Sequence, residues 1–397
     1  QGYLGMLFRK SPELTAPPNL IHLLDDIDQA GTSWQQFVFD IAIDVMKYGR
    51  AGILVDYPIM PEGITSLADA EKVGLRPRMV KYSAEDILNW RTSRVNNRTV
   101  LSMVVLSEID TVVDGFDVKE IPQWRVLALT AEGYKQQVWR EDGKGGEVLI
   151  SESTPLRNGK PLDFIPFQFI GVDSLSSMPS DPPLLDLADM NLAHYRTSAD
   201  YEHGCHFTGL PTPVVSGYRP EEKDAKLYIG SQTAWVFPDP QARASYLEFS
   251  GAGLSALVAN LERKEHAMAV LGARMLEQQL RGVESAETAA LHRAGEQSQL
   301  AQIANTISLG VTRAMRWMAD WAGIDGDVSV QINRDYMPVP MTAQELTALV
   351  SSWQAGAISS QVLFENLKRG EIIGDAVDYE TEQERIASQG IGNAAAR

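Results

Sequence analysis

The sequence has a single cysteine and few basic residues for its length. Its 397 residues contain only Cys205, 35 lysines and arginines, and 52 acidic residues, so the formal net charge is −17. One cysteine excludes an intrachain disulfide and a thiolate cluster for a metal. The acidic balance argues against a general nucleic-acid binder, since such proteins carry a basic face that displaces counterions from phosphates.

Long apolar runs and catalytic motifs are also lacking. No run reaches the roughly 18 residues that span a bilayer, so we expect no membrane segment. Gln1 begins no signal-peptide pattern, and we expect a trimmed or renumbered chain. The nearest approach to a phosphate loop, Gly143-Lys144-Gly145-Gly146, lacks the hydroxyl and lies between predicted strands, which favours a hairpin turn. No Gly-x-Ser-x-Gly elbow supplies a nucleophile.

Two sets of side chains are candidates for metal binding or catalysis. The soft ligands His203, Cys205 and His206 lack a fourth ligand, because His194 lies nine residues earlier on a different face of a straight helix. We expect them to end a helix at a junction. Paired carboxylates catalyse only when they are partly buried and face each other, which nothing in the pattern indicates. The carboxylates considered were Asp25, Asp26, Asp28, Asp186 and Asp189.

The first part of the chain mixes helix and strand signals. Ser33 and Gln36 form a capping-box pattern before a helix that should stop at Gly49. Ile53-Leu54-Val55 reads as a buried strand. Further strands are predicted at Arg78–Tyr82, Val100–Ile109, Ile121–Thr130, Tyr134–Arg140 and Val148–Ser151. An α+β lobe of about 180 residues is the result.

Helical periodicity dominates after Asp181. A first helix, with an apolar stripe at Leu184, Ala188, Leu192, Tyr195 and Ala199, is expected to end near Gly204. A turn-rich insert follows, with strands near Pro211–Val215, Thr233–Phe237 and Ala244–Phe249. The stripe of a second helix starts near Leu254. The longest helix is expected over Ser285–Ala322, with a kink near Gly295 or Gly310.

The C-terminal part begins with a strand at Val328–Ile332. Thr342 and Glu345 form a capping box for a helix that stops at Gly356. A further helix is predicted over Ser360–Gly370, and the tail from Ser388 is expected to fray.

This order of parts resembles that of portal proteins of tailed bacteriophages, and its detail resembles an uncharacterised phage family with portal-like organisation. The resemblance covers about Tyr48 to Gly323. It rests on packing patterns in four stretches and on no catalytic motif. The stretches are Tyr48–Pro58, Leu184–Tyr195, Ala267–Leu276 and Glu284–Gly323, the last containing Glu296, Leu300, Ile303 and Trp317.

The resemblance implies an α+β portal fold with a short crown. The implied parts are a wing at 1–181, a first stem helix at 182–204, a clip at 205–251, a second stem helix at 252–275, a tunnel loop at 276–284, a long helix with the returning wing strand at 285–340, and C-terminal helices forming a short crown at 341–397. Each stem helix is expected to turn apolar surface toward its partner helix and small or polar residues toward neighbouring subunits.

The function implied is that of a connector ring, expected to be a dodecamer at one capsid vertex of the virion, assembled in the host cytoplasm. Gln278, Gln279 and Arg281 would face DNA from the tunnel loop. The clip surface for partner proteins would comprise Arg219, Glu221, Glu222, Lys223 and Asp239. Implied partners are the capsid protein and scaffold, the large terminase subunit, a head-tail adaptor and double-stranded DNA without sequence specificity. No cofactor, metal, membrane contact or enzymatic activity is expected.

Two alternatives stay open at this point. Another structural head or adaptor protein of a virion would also lack catalytic motifs, although such proteins are usually smaller. An intracellular α+β enzyme would instead have a closed pocket with convergent polar groups.

Overall fold

The computed structural model describes residues 2–56, 74–95, 97–157, 159–210, 212–217, 228, 235–237, 239–247, 251–274, 299–334, 336, 341–370, 372–374 and 377–394. The chain forms two compact units, one of Gln1–Pro183 with Leu276–Arg397 and one of Leu184–Met275. The first unit mixes helices with strands, and the second has two helices and a two-stranded sheet. The predicted α+β class is confirmed.

A small buried sheet lies at the centre of the first unit. Its antiparallel strands β2 (Arg50–Asp56), β3 (Arg78–Ser83) and β11 (Phe167–Gly171) have the order β11-β2-β3. Every residue of β2 and β11 is buried, which explains the continuous apolar run in β2. Helix α3 (Trp34–Tyr48) packs on β2, and helix α6 (Gln299–Ala322) packs on β11 and β2.

Helix α3 begins and ends at the predicted residues, with one difference at its N-terminal cap. The Ser33 hydroxyl accepts a hydrogen bond from the Gln36 amide at 3.3 Å, as predicted. The Gln36 side chain does not return the bond, and its NH2 group donates instead to Asp40 Oδ1 at 2.8 Å. Gly49 ends the helix with φ at +73°, and a Cβ there would lie 2.3 Å from the carbonyl oxygen of Ser180. Both the backbone angle and the close approach require glycine.

Helix α6 buries its predicted face completely. Leu300, Ile303, Ile307, Val311, Ala314 and Met318 are all fully buried. The helix continues through Gly310, one of the two positions at which a kink was predicted. Gly310 allows close packing, since a Cβ at this position would lie 2.5 Å from Ile170 Cγ1 on β11. Gly295, the other predicted kink, and residues 285–298 lie outside the described residues.

A five-stranded antiparallel meander forms the second sheet of this unit. Its strands are β4 (Ile87–Val95), β5 (Arg98–Asp114), β6 (Asp117–Thr130), β7 (Gly133–Glu141) and β8 (Glu147–Ser153), paired in chain order. The sequence predicts the last four and misses β4. Asp142 Oδ1 accepts from the amides of Lys144 and Gly146, and Gly143 has a φ of +71°, which confirms the predicted turn between β7 and β8.

Short elements and C-terminal helices complete the first unit. The short elements are α1 (Gly2–Leu7), β1 (Glu13–Thr15), α2 (Pro18–Leu24), β9 (Leu156–Arg157), β10 (Lys160–Pro161) and β14 (Ser329–Gln331). The predicted strand near Val328 is therefore confirmed, and it pairs with β1. Helices α7 (Ala343–Gln354) and α8 (Ser360–Arg369) match the predictions, and both halves of the Thr342–Glu345 capping box are present.

Helix α9 (Tyr379–Ala394) extends past Ser388, the residue from which the tail was predicted to fray. Its start signal is Asp378, whose Oδ2 accepts from the amides of Glu380 and Thr381. This cap, which was not predicted from the sequence, fixes the first turn of the helix.

The second unit is a helical hairpin with a small sheet. It contains α4 (Leu185–Gly209), β12 (Thr212–Ser216), β13 (Arg243–Leu247) and α5 (Leu254–Arg274), and β12 pairs with β13. The predicted end of α4 at Gly204 is wrong, so residues 205–209 of the predicted clip are helical. Gly204 serves close helix packing, since a Cβ there would lie 2.6 Å from Leu254 Cδ2. In the insert, Trp235 to Phe237 do not form the predicted strand.

Candidate assembly surface

Polar groups take part in the contact between helices α4 and α5, beside the packing of Leu254 on Gly204. The Lys264 ammonium donates to the carbonyl oxygen of Ala193 at 2.7 Å and also contacts the Thr197 hydroxyl. His194 Nε2 lies 3.3 Å from Glu265 Oε1. The lysine and the hydroxyl therefore satisfy each other between the helices, where an apolar seam was expected.

The apolar stripe predicted for α4 points away from α5. Leu192 is 52% exposed and Tyr195 is 70% exposed, and Ala188 and Ala199 are exposed as well. The expectation that this stripe faces the partner helix is therefore wrong. The apolar stripe on α5 agrees with the expectation that it faces the partner helix, since the apolar residues of that stripe, from Leu254 to Leu271, are half-buried. Only α4 turns its apolar stripe outward.

The second unit buries no apolar core among its described residues. Thr197 is the one buried residue of α4, whereas α6, a helix of nearly equal length, buries fourteen. In residues 184–274, the described positions include no buried hydrophobic residue. An isolated pair of helices in this state gains little from the hydrophobic effect, so the surface is suited to being covered by other protein.

The small sheet of the insert shares this property. Val214, Tyr246 and Leu247 are exposed on its two strands, and Val236 nearby is 87% exposed. Asp239, a predicted clip residue, accepts a hydrogen bond from the Gln241 amide at 2.8 Å and so shapes a turn before β13. The other predicted clip residues, Arg219, Glu221, Glu222 and Lys223, lie outside the described residues, as do Gln278, Gln279 and Arg281 of the predicted tunnel loop.

The candidate metal ligands do not converge. His203, Cys205 and His206 lie within the last seven residues of α4, with His206 in its last turn, and the ring of His203 packs edge-on against Phe207 at 4.6 Å between centroids. Within the described ranges no group of three or more histidine, cysteine or acidic residues is placed to hold a metal ion. Nor does any helix in those ranges have the length and apolar character to cross a membrane.

The candidate carboxylates have other partners or lie in solvent. Asp28 Oδ1 accepts from the amides of Ala30 and Thr32, and Asp26 pairs with Arg76 at 2.8 Å, so both shape the loop after α2. Asp186 and Asp189 are exposed on α4, as expected.

Convergent polar groups occur instead between the two sheets of the first unit. Arg125 on β6 lies 2.7 Å from Glu108 Oε1 and 3.6 Å from Asp56 Oδ1, and Arg78 lies 2.7 Å from Asp56 Oδ2. The Tyr82 hydroxyl donates to Glu108. Each charge in this cluster faces an opposite charge. The cluster could not be predicted from the sequence, because its members come from four separate strands.

Burial decides the protonation of this cluster. Burial, together with the negative charge of Glu108, raises the pKa of Tyr82 well above its ordinary value. Burial opposes the charge of Arg125, but Tyr82, Asp56 and Glu108 together raise its pKa above the ordinary value. A neutral tyrosine and a permanently charged arginine hold the sheets together. Neither is poised to exchange a proton near neutral pH.

Comparison with known proteins gives one family match. Residues 183–322 match a family described as a domain of unknown function, DUF4055. The matched range includes Leu184–Tyr195 and Ala267–Leu276, two stretches that carry the resemblance to portal proteins. A comparison with curated proteins returns no match.

Solved structures of a gene transfer agent (GTA) are similar over most of the chain. The neck of an empty GTA particle computed with C6 symmetry is 13% identical with a TM-score of 0.39, covering 90% of this chain and 85% of the other. The neck of a native GTA particle computed with C12 symmetry is 12% identical with a TM-score of 0.40, covering 92% and 89%. The virion of the native particle is 12% identical with a TM-score of 0.39, covering 90% and 84%.

Proposed function

We propose that the chain is one subunit of a portal, the head-to-tail connector ring at one capsid vertex of a tailed phage or phage-like particle. The observation that carries the proposal is the outward apolar stripe of α4 on a unit that buries no core of its own. Such a hairpin is stable when copies stand side by side and cover each other's stripes. Head-to-tail contacts that close by rotation produce a ring.

In this proposal the second unit supplies stem and clip. Helices α4 and α5 are the stem helices, and the sheet of β12 and β13 is the clip, which meets the large terminase subunit during packaging and an adaptor afterwards. Arg219, Glu221, Glu222, Lys223 and Asp239 are proposed to form that partner surface. The first unit is the wing, which meets the capsid protein and scaffold, and the helices from α7 onward are the short crown.

The net charge suits passage of DNA rather than its retention. A formal charge of −17 per chain gives no net attraction for phosphates, so a duplex can slide through a ring of such chains. Gln278, Gln279 and Arg281 are proposed to face the channel and to contact phosphates without reading bases. Changing Arg281→Ala is expected to alter packaging or DNA retention in assembled heads, while the ring forms as before. Loss of the ring in this variant would contradict the placement of Arg281 on a free loop.

Mass and axial images of the purified chain test the proposal. A ring of twelve 43.7-kDa chains has a mass of about 520 kDa and an open hole along its axis. Light scattering should give this mass, and negative-stain images should show the hole. Solid particles without a hole would refute the connector function and favour another head protein or an enzyme.

A further inference from the structure

Strands β5 and β6 extend far beyond the sheet to which they belong. They pair as far as Asp114 with Asp117, whereas β4 pairs with β5 only up to Leu106, and β7 pairs with β6 only from Trp124. Residues 107–123, called the arm below, are therefore a two-stranded ribbon that no third strand accompanies among the described residues. Seven steps of strand from residue 107 give it a length of roughly 24 Å.

One face of the arm is exposed and mostly apolar. Residues opposite each other in an antiparallel pair share a face, so Ile109 with Pro122 and Val113 with Val118 lie on the same side, with Thr111 and Glu120 between them. Ile109, Val113 and Val118 are each more than 60% exposed, and Phe116 at the tip is completely exposed. A two-stranded ribbon with an uncovered apolar face is marginal in water, so this face is built to be covered.

The arm also has uncompensated negative charge. Asp114 pairs with Lys119, and Asp110 pairs with Arg140. In the described part of the chain, the side chains of Asp117 and Glu120 have neither an ion pair nor a hydrogen bond. The surface that covers the arm should therefore be apolar and positively charged.

The free edge of the same sheet, strand β4, offers that combination. Arg91 and Arg94 are exposed and make no ion pair with any described residue, and Leu88 and Val95 beside them are 51% and 47% exposed. No strand pairs with the outer side of β4 in the described ranges. The opposite edge, β8, has Glu147 exposed and no basic residue, so it repels an acidic arm.

We propose that the arm of one copy lies along the β4 edge of the next copy in the ring. The arm cannot reach its own β4, because both are built on β5 and the arm continues past the end of β4. Each copy uses its arm to contact one neighbour and its β4 edge to contact the other. This is the head-to-tail arrangement that closes into a ring. The proposal rests on the portal function for the ring, and adds the contact between neighbouring wings.

A charge exchange tests the contact. The arm variant Asp117→Lys/Glu120→Lys and the edge variant Arg91→Glu/Arg94→Glu each place like charges at the contact. The concentration at which half of the chains are in rings, measured by light scattering, should rise about tenfold in each. The variant with all four changes restores opposite charges and should assemble within about threefold of the wild type. As a matched control, Glu141→Lys/Glu147→Lys makes the same charge change near β8 and should assemble normally.

Each outcome of these experiments supports or refutes the contact between the arm and β4. If the variant with all four changes needs as high a concentration to form rings as the arm and edge variants do, the arm does not dock on β4. The same conclusion follows if the arm and edge variants assemble like the wild type. If Phe116→Ser leaves rings intact and impairs only their incorporation into heads, another head protein covers the arm and the proposal is wrong. A wild-type chain that stays single at every concentration overturns the ring and the arm contact together. Rings with no charge effect overturn the arm contact alone.

Discussion

Removing the exposed stripe of α4 should prevent assembly without affecting the fold of the single chain. The change is Leu192→Ser/Tyr195→Ser. Both side chains are mostly exposed in the single chain, at 52% and 70%. Surface substitutions of this kind alter the free energy of unfolding by about 0.5 kcal/mol or less. The loss should therefore appear only in the contact between copies.

The size of that loss follows from the area left to bury. Full burial of a leucine stabilises by roughly 1.5–3 kcal/mol, so the exposed half of Leu192 is worth about 1 kcal/mol. Tyr195 has on the order of 140 Å² to bury, worth about 2 kcal/mol once the hydration of its hydroxyl is discounted. A combined loss of about 3 kcal/mol per contact weakens association about 100-fold.

Light scattering across a dilution series measures the effect. Rings of the variant should need about 100-fold more protein to form, while thermal unfolding of the dilute single chain stays as in the wild type. Ile21→Ser/Ile372→Ser is the control, because it removes partly exposed isoleucines from the first unit. If the α4 variant forms rings at the wild-type concentration, neighbouring copies do not cover the stripe, and the reasoning from exposure to assembly fails.

Two further predictions concern the first unit. Gly310→Val should lower the free energy of unfolding by about 2–3 kcal/mol in urea titrations, because its Cβ would overlap Ile170, whereas the helical control Gly5→Val, which has open space around it, should cost little. Because the folded pKa of Tyr82 is raised, its contribution to stability is complete below the ordinary value of 10.0 and is lost as pH rises above it. Tyr82→Phe should therefore show a smaller fall in the urea midpoint between about pH 8 and about pH 11. An equal fall in both proteins would contradict the assigned burial.

The sequence predicted elements best where one local pattern decides the structure. The continuous apolar run of β2 is buried because helices α3 and α6 both pack on it, and the apolar face of α6 is buried because it packs on β11 and β2. Capping residues such as Thr342 depend only on neighbours three positions away, and that prediction is also confirmed. Strand β4 was missed because its exposed arginines and polar residues interrupt any alternation of apolar side chains.

The orientation of α4 could not be predicted for a related reason. The helix has two candidate faces, and Lys264, about seventy residues away, selects the polar one by bonding to Ala193 and Thr197. Periodicity shows that an apolar stripe exists but not what covers it. Gly204 was misinterpreted in the same way, because its packing against Leu254 depends on a distant residue.

The polar cluster around Arg125 and the exposed apolar surfaces of α4 and the arm both contain residues that often signal function. Their surroundings show which of them is available for binding. Around Arg125, acidic and basic groups face each other in a buried space, so binding a substrate there would first require breaking 2.7 Å ion pairs. On α4 and the arm the reverse holds, since apolar side chains such as Tyr195 and Phe116 lie uncovered in the single chain. Closed polar contacts stabilise a fold, whereas uncovered apolar surface gains free energy only when another surface arrives. For this chain the balance therefore favours association over catalysis, at both the helical hairpin and the arm.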